Sequence, residues 1–145
     1  MNKNMNSQIS LISIIDDEWC LLILRDILFL KRTKFYEFKS SRENIDSDNL
    51  TNRLNTLLSD GFIKVLNPSN DYKDIQYIAT SKGLSTLSIL IELYLFSIKS
   101  IKAEMFSEIE LDFKKEVLQD STLFKEKIAN EYNSFVQQIQ RPIIN

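Results

Sequence analysis

Apolar residues recur every three or four positions along most of this chain, and that spacing predicts helices. Residues 8–15, QISLISII, form a first helical stretch. Trp19, Leu22, Ile23, Ile27 and Leu30, with Cys20 and Leu24 widening the stripe, predict a nearly buried central helix capped by Asp16 or Asp17. KFYEFKSS follows as a short helix, with Thr33 as its cap and Phe35 and Phe38 pointing inward. SRENI, residues 41–45, is a polar turn. The next helix begins at Asp46 or Ser47, buries Leu50, Leu54, Leu57 and Leu58, and stops at Gly61, the place of a C′ glycine.

After Gly61 the period shortens. FIKVL and IQYIAT are strand candidates around the polar loop NPSNDYKD, which makes a β-hairpin with Tyr77 facing the core. From SKG an apolar helix runs from about Leu84 to Phe106. Phe113, Val117, Phe124, Ile128, Tyr132, Phe135 and Ile139 then predict one long amphipathic helix. Its apolar face pairs with its copy in a dimer, the preferred reading, or folds back on its own domain, or roofs a small-molecule pocket.

Helix, short helix, turn, small-residue helix, hairpin, helix is the order of a winged helix-turn-helix. The expected fold is mainly α with a small β-hairpin, and with added C-terminal helices. Residues 1–98 form the winged domain and 99–145 a helical extension for dimerisation. In such folds the second helix of the pair enters the major groove. The outer side of helix 47–59 carries small polar groups that suit base edges and phosphates. Ser47, Asn49, Thr51, Asn52 and Arg53 are its candidate DNA contacts, with Lys34 and, in the wing 62–79, Lys73. Arg53 reaches a phosphate or a guanine, or instead pairs with an acid such as Glu37 or Asp60. A polar outer face also suits a merely solvated helix; the hairpin directly after it favours DNA. Asp48, on the same face, opposes DNA and suits a helix start.

Composition removes most catalytic chemistries. There is no His and one Cys among 145 residues, so His-based acid–base work, an intrachain disulfide and a Cys/His metal site are all excluded. Cys20 reads as a buried, inert thiol. Asp16, Asp17 and Glu18 are adjacent on a helix start and cannot converge on one ion. No glycine-rich phosphate loop is present, so an enzyme is not expected, and no cofactor or metal is implied. The polar N-terminus lacks a signal-peptide layout, and the apolar run Leu87–Ile98, interrupted by Glu92, is short of the roughly 18 residues of a membrane span. A cytoplasmic protein is expected. Net charge is −2, and the middle of the chain, residues 25–83, is mildly basic at +2. This neither establishes nor excludes a phosphate-binding face.

From about Ile12 to Leu95 the chain resembles the HxlR family of bacterial winged-helix regulators, relatives of the MarR type. Trp19-Cys-Leu-Leu-Ile-Leu-Arg-Asp-Ile-Leu-Phe29 is similar to the family's tryptophan-led core helix. Lys34-Phe35-Tyr36-Glu37-Phe38 looks like its Arg-Phe-x-Glu-Leu helix. Ile45-Asp46, Leu50-Thr51-Asn52-Arg53-Leu54, Leu57 and Asp60-Gly61-Phe62-Ile63 follow its recognition helix. Ile75-Gln76-Tyr77 and Thr80-Ser81-Lys82-Gly83 resemble the segment that closes the wing. The chain departs from the pattern in three places. Asn6 and Ser7 stand near the family's sensory Cys-Pro, Asp16-Asp17-Glu18 replaces Gly-Gly-Lys, and the wing opens with Lys64-Val65-Leu66 where Arg is usual. No sensory cysteine is therefore carried over.

The resemblance implies a homodimeric DNA-binding transcriptional regulator, with repression the better expectation for a small dimer. The alternative is a winged-helix protein-interaction module with weak or no DNA binding. Expected partners are double-stranded DNA, a second copy of the chain, and a small-molecule inducer that no residue identifies. No membrane partner is expected.

Overall fold

The computed structural model describes residues 17–41, 43–66, 74–98 and 108–140. The helix expected over 8–15, the end of the one expected to reach Phe106, and Lys73 lie outside these residues. Asp17 caps α1 (Glu18–Leu30), its carboxylate accepting from the Trp19 and Cys20 N–H groups at 3.0 and 3.2 Å. Helix α1 is the central element, burying Cys20, Ile23, Leu24, Ile27 and Leu28.

Helix α2 (Phe35–Lys39) starts differently from expectation. Lys34 occupies its N-cap position, and the Glu37 carboxylate reaches back to accept from the Thr33 and Lys34 N–H groups. Thr33 is committed elsewhere, which is why it does not cap. It is buried, its carbonyl accepts from Tyr77 N–H at 2.8 Å, and its hydroxyl accepts from Gln76 Nε2 at 3.2 Å. Thr33 and Lys34 thus form a short third rung beside the wing. Phe38 is buried, as expected, and Phe35 partly so.

The turn between α2 and α3 (Ser47–Ser59) is held to α1 by Arg25. Its guanidinium makes a two-pronged bond to Glu43, at 2.6 and 2.9 Å, and a 2.7 Å bond to Asp26. Asp46 caps α3. Leu50, Leu54 and Leu57 are buried and Leu58 partly so. The helix ends in a Schellman arrangement: Gly61 N–H donates to Leu58 O, Phe62 N–H to Leu57 O, and Gly61 has φ +78°.

Strands β1 (Ile63–Val65) and β2 (Tyr77–Ala79) pair antiparallel, with Ile63 opposite Ala79 and Val65 opposite Tyr77. Tyr77 is buried, as expected, and so is its neighbour Ile78. Thr80 then caps α4 (Ser81–Ser85), and Thr86 separates it from α5 (Leu87–Ile98). One helix was expected here. The buried Thr86 hydroxyl instead donates to Gly83 O at 2.6 Å and the first helix ends. The stretch Ser81–Ile98 has the length and composition to cross a membrane, with mean hydropathy 1.2 over 18 residues, a test that the core helix of a soluble protein also passes. Leu87, Leu90, Ile91 and Ile98 of α5 are buried in this fold.

The long C-terminal helix is likewise two, α6 (Glu108–Gln119) and α7 (Ser121–Gln140). Asp120 divides them, its carboxylate accepting from Leu123 N–H at 3.0 Å as a helix start. Phe124, Ile128 and Tyr132 of α7 and Val117 of α6 join the core built by α1 and α5. Phe29, Phe113 and Phe124 meet with ring centroids 5.8–6.5 Å apart, joining α1, α6 and α7. The apolar face of α6 and α7 packs on its own domain.

Candidate nucleic-acid interface

Burial of Leu50, Leu54 and Leu57 fixes which side of α3 faces out. Ser47, Asp48, Thr51, Asn52, Asn55, Thr56 and Ser59 are exposed. None has a long side chain, so the backbone of α3 can approach another surface closely. The Thr51 hydroxyl donates to Ser47 O at 2.8 Å and that of Thr56 to Asn52 O at 3.0 Å. Both oxygens keep lone pairs directed outward, as acceptors. The amides of Asn52 and Asn55 offer donors and acceptors together.

The candidate residues separate into three groups. Ser47, Thr51 and Asn52 share the exposed side of α3. Asn49 and Arg53 are half-buried and engaged: Asn49 Nδ2 donates to Asp46 Oδ2 at 2.6 Å, and Arg53 Nε lies 2.9 Å from Asp17 Oδ2. An acid does hold Arg53, but it is Asp17 and not Glu37 or Asp60. Lys34 sits away from α3, at the N-cap of α2 and opposite Gln76 at the edge of the wing. Asn55 and Lys64 were missed by the sequence reading. Asn55 follows Thr51 by four residues and Asn52 by three, so the helical repeat was the available signal. Lys64 is exposed on β1, and the alternation of FIKVL pointed it outward.

The electrostatics of this face are mixed. Asp46 and Asp48 stand at the start of α3, and the N–H and side-chain amide of Asn49 hold the Asp46 carboxyl below its ordinary value. Several cations of the middle segment are held by partners within the chain. Arg25 is bound to Glu43 and Asp26, Arg32 to Glu37 O, and Lys39 to Ile45 O. Lys82 donates to Asp60 O at 2.7 Å and lies 4.4 Å above the Phe62 ring. The face therefore offers neutral hydrogen-bonding groups more than positive charge. Cys20 is no part of it: burial, foremost, and Asp17 push its thiol up to about 11.

A family model described as HxlR-like helix-turn-helix matches residues 14–105. The structure is similar to that of PA1607, a candidate transcription factor, at 27% identity and TM-score 0.56. That match covers 66% of each chain, just under two thirds of that protein's length. It is similar in fold to an uncharacterized SlyA-like transcription regulator from Listeria monocytogenes, at 18% identity and TM-score 0.52, over 94% of this chain and 89% of that one. No curated protein matches the sequence. The family match spans well over half of the chain, through α1, α3 and the hairpin, and the chain belongs to the HxlR-like helix-turn-helix family.

Proposed function

We propose that the chain is a sequence-specific, DNA-binding transcriptional regulator of the cytoplasm that acts as a homodimeric repressor. Helix α3 lies in the major groove and the hairpin 62–79 is its wing. The observation that carries the reading is the exposed row of Ser47, Thr51, Asn52 and Asn55 on a helix anchored through Leu50, Leu54 and Leu57. Asn49, Arg53, Lys34 and Lys73 complete the candidate contacts. Leu93 and Phe96 of α5, with Leu118 and Leu123 of α6 and α7, are large exposed hydrophobic residues and supply apolar surface for a second copy.

The internally held cations, with Asp46 and Asp48 on α3, favour a second reading. In it the chain is a protein-interaction module whose winged helix binds DNA weakly. A titration against its own upstream DNA at low and moderate salt, with molar mass measured in parallel, separates the two. Tight binding by a dimer that weakens steeply with salt is expected of the regulator. A chain that ignores DNA at low salt is the interaction module.

A further inference from the structure

Arg53 is the one cation of α3, and Asp17 neutralises it across 36 residues of sequence. Its Nε lies 2.9 Å from Oδ2 and 3.1 Å from Oδ1 of that carboxylate. Asp17 is itself held by the first N–H groups of α1, those of Trp19 and Cys20. The carboxylate is thus fixed by the fold. Both side chains remain about 30% exposed, at 30% and 27%. Neither terminal nitrogen of Arg53 donates to a described residue.

We infer that Asp17 sets the affinity of this protein for DNA by cancelling the charge of Arg53 beside the recognition helix. The inference rests on the reading of α3 as the DNA-facing helix. A neutral pair displaces no counterion from the phosphate backbone, whereas a lone guanidinium displaces about one. The paired state leaves neutral groups to discriminate sequence and keeps non-specific binding low. Asp17 is a positioning residue here; it touches Arg53 and need not touch DNA.

The test uses the full chain, a mixed-sequence DNA duplex and fluorescence anisotropy over a range of salt. Asp17→Asn removes the charge and keeps the cap, because Asn caps a helix about as well as Asp. It should tighten binding roughly five- to tenfold near 0.1 M salt and steepen the salt slope by about 0.9. Asp17→Ser, a second uncharged cap, should do the same. Arg53→Ala in the Asp17→Asn background should abolish the gain. If Asp17→Asn and Asp17→Ser melt like the parent and bind with its affinity and slope, or bind more weakly, the inference falls and the DNA reading stands. If the parent and every variant ignore DNA at low salt, the DNA reading fails and takes this inference with it.

Discussion

The Tyr132 hydroxyl accepts a hydrogen bond from the Ala79 backbone N–H at 2.8 Å, tying α7 to the wing strand β2. Tyr132 is 2% exposed and Ala79 half-buried, so water is a poor substitute for either partner. Tyr132→Phe keeps the packing and leaves a half-buried donor unpaired. It should lower unfolding free energy by about 1–3 kcal/mol in a urea titration. A variant as stable as the parent would mean that Ala79 N–H finds another acceptor.

The two glycines serve different ends. Gly83 faces the Phe62 carbonyl, and a Cβ there would lie 2.1 Å from its oxygen. That oxygen cannot yield freely, since it accepts from Thr80 N–H at 3.0 Å. Gly83→Ala should therefore cost at least about 2 kcal/mol by forcing α4 off the Phe62 backbone. At Gly61 nothing lies within 4 Å of an added Cβ, and only its φ of +78° resists substitution. Gly61→Ala should cost about 1 kcal/mol. Thermal melts of the two variants should rank in that order, and equal losses would contradict the close approach at Gly83.

Alkaline pH should weaken the fold through Cys20. Its thiol is pushed from an ordinary value of 9.0 to about 11, chiefly by burial. A proton held more tightly when folded stabilises fully below about pH 9 and is lost as pH rises toward 11. The shift corresponds to roughly 2–3 kcal/mol. Burial also raises the Tyr132 phenol, which adds a loss of the same sign above its ordinary value. Cys20→Ala should flatten the decline by about 1.4 kcal/mol per pH unit in that window. Parallel profiles for parent and variant would show a thiol that ionises in the native state. Thiol reagents near neutral pH should correspondingly react with Cys20 only slowly.

Low pH acts on the turn that leads into α3. Arg25 holds the Glu43 carboxyl below its ordinary value, so this pair stabilises above that value and fades as pH falls through the folded one. Asp26 works against it. Its burial raises its carboxyl, so it favours the folded state most when protonated. Glu43→Gln should therefore destabilise at neutral pH by about 1–2 kcal/mol, a value discounted for partial exposure, and converge with the parent under acid. A constant difference at all pH values would place the effect in packing.

Local chemistry explains which parts were legible beforehand. Helix α3 could be bounded from sequence because a cap at Asp46, a leucine stripe and Gly61 all act within one helix. The wing strands were legible for the same reason. Arg53 and Asp17 are paired by the fold over 36 residues, and no local pattern announces that contact. Thr33 has the chemistry of a cap but is claimed by Tyr77 and Gln76 of the wing. The breaks at Thr86 and Asp120 were hidden by apolar spacing that continues across them. Asp120-Ser121 carries a helix-start signal, masked by the periodicity of Phe113 to Ile139.

The division of labour between base reading and phosphate binding gives a final expectation. Asn52 and Asn55 are exposed and uncharged on α3, while Lys64 is exposed and charged on β1. An amide that bonds a base edge discriminates sequence by about 1–3 kcal/mol. A lysine on a phosphate adds affinity for any sequence and about one to the salt slope. Asn52→Ala with Asn55→Ala should therefore weaken binding to a duplex selected from random sequence, leave mixed-sequence DNA almost unaffected, and keep the salt slope. Lys64→Ala should weaken both duplexes alike and flatten both slopes. Competition binding with the two duplexes at several salt concentrations reads all four outcomes. Uniform weakening in the asparagine variant, with the melting temperature unchanged, would move base reading off α3 and leave that helix a role in backbone contact alone.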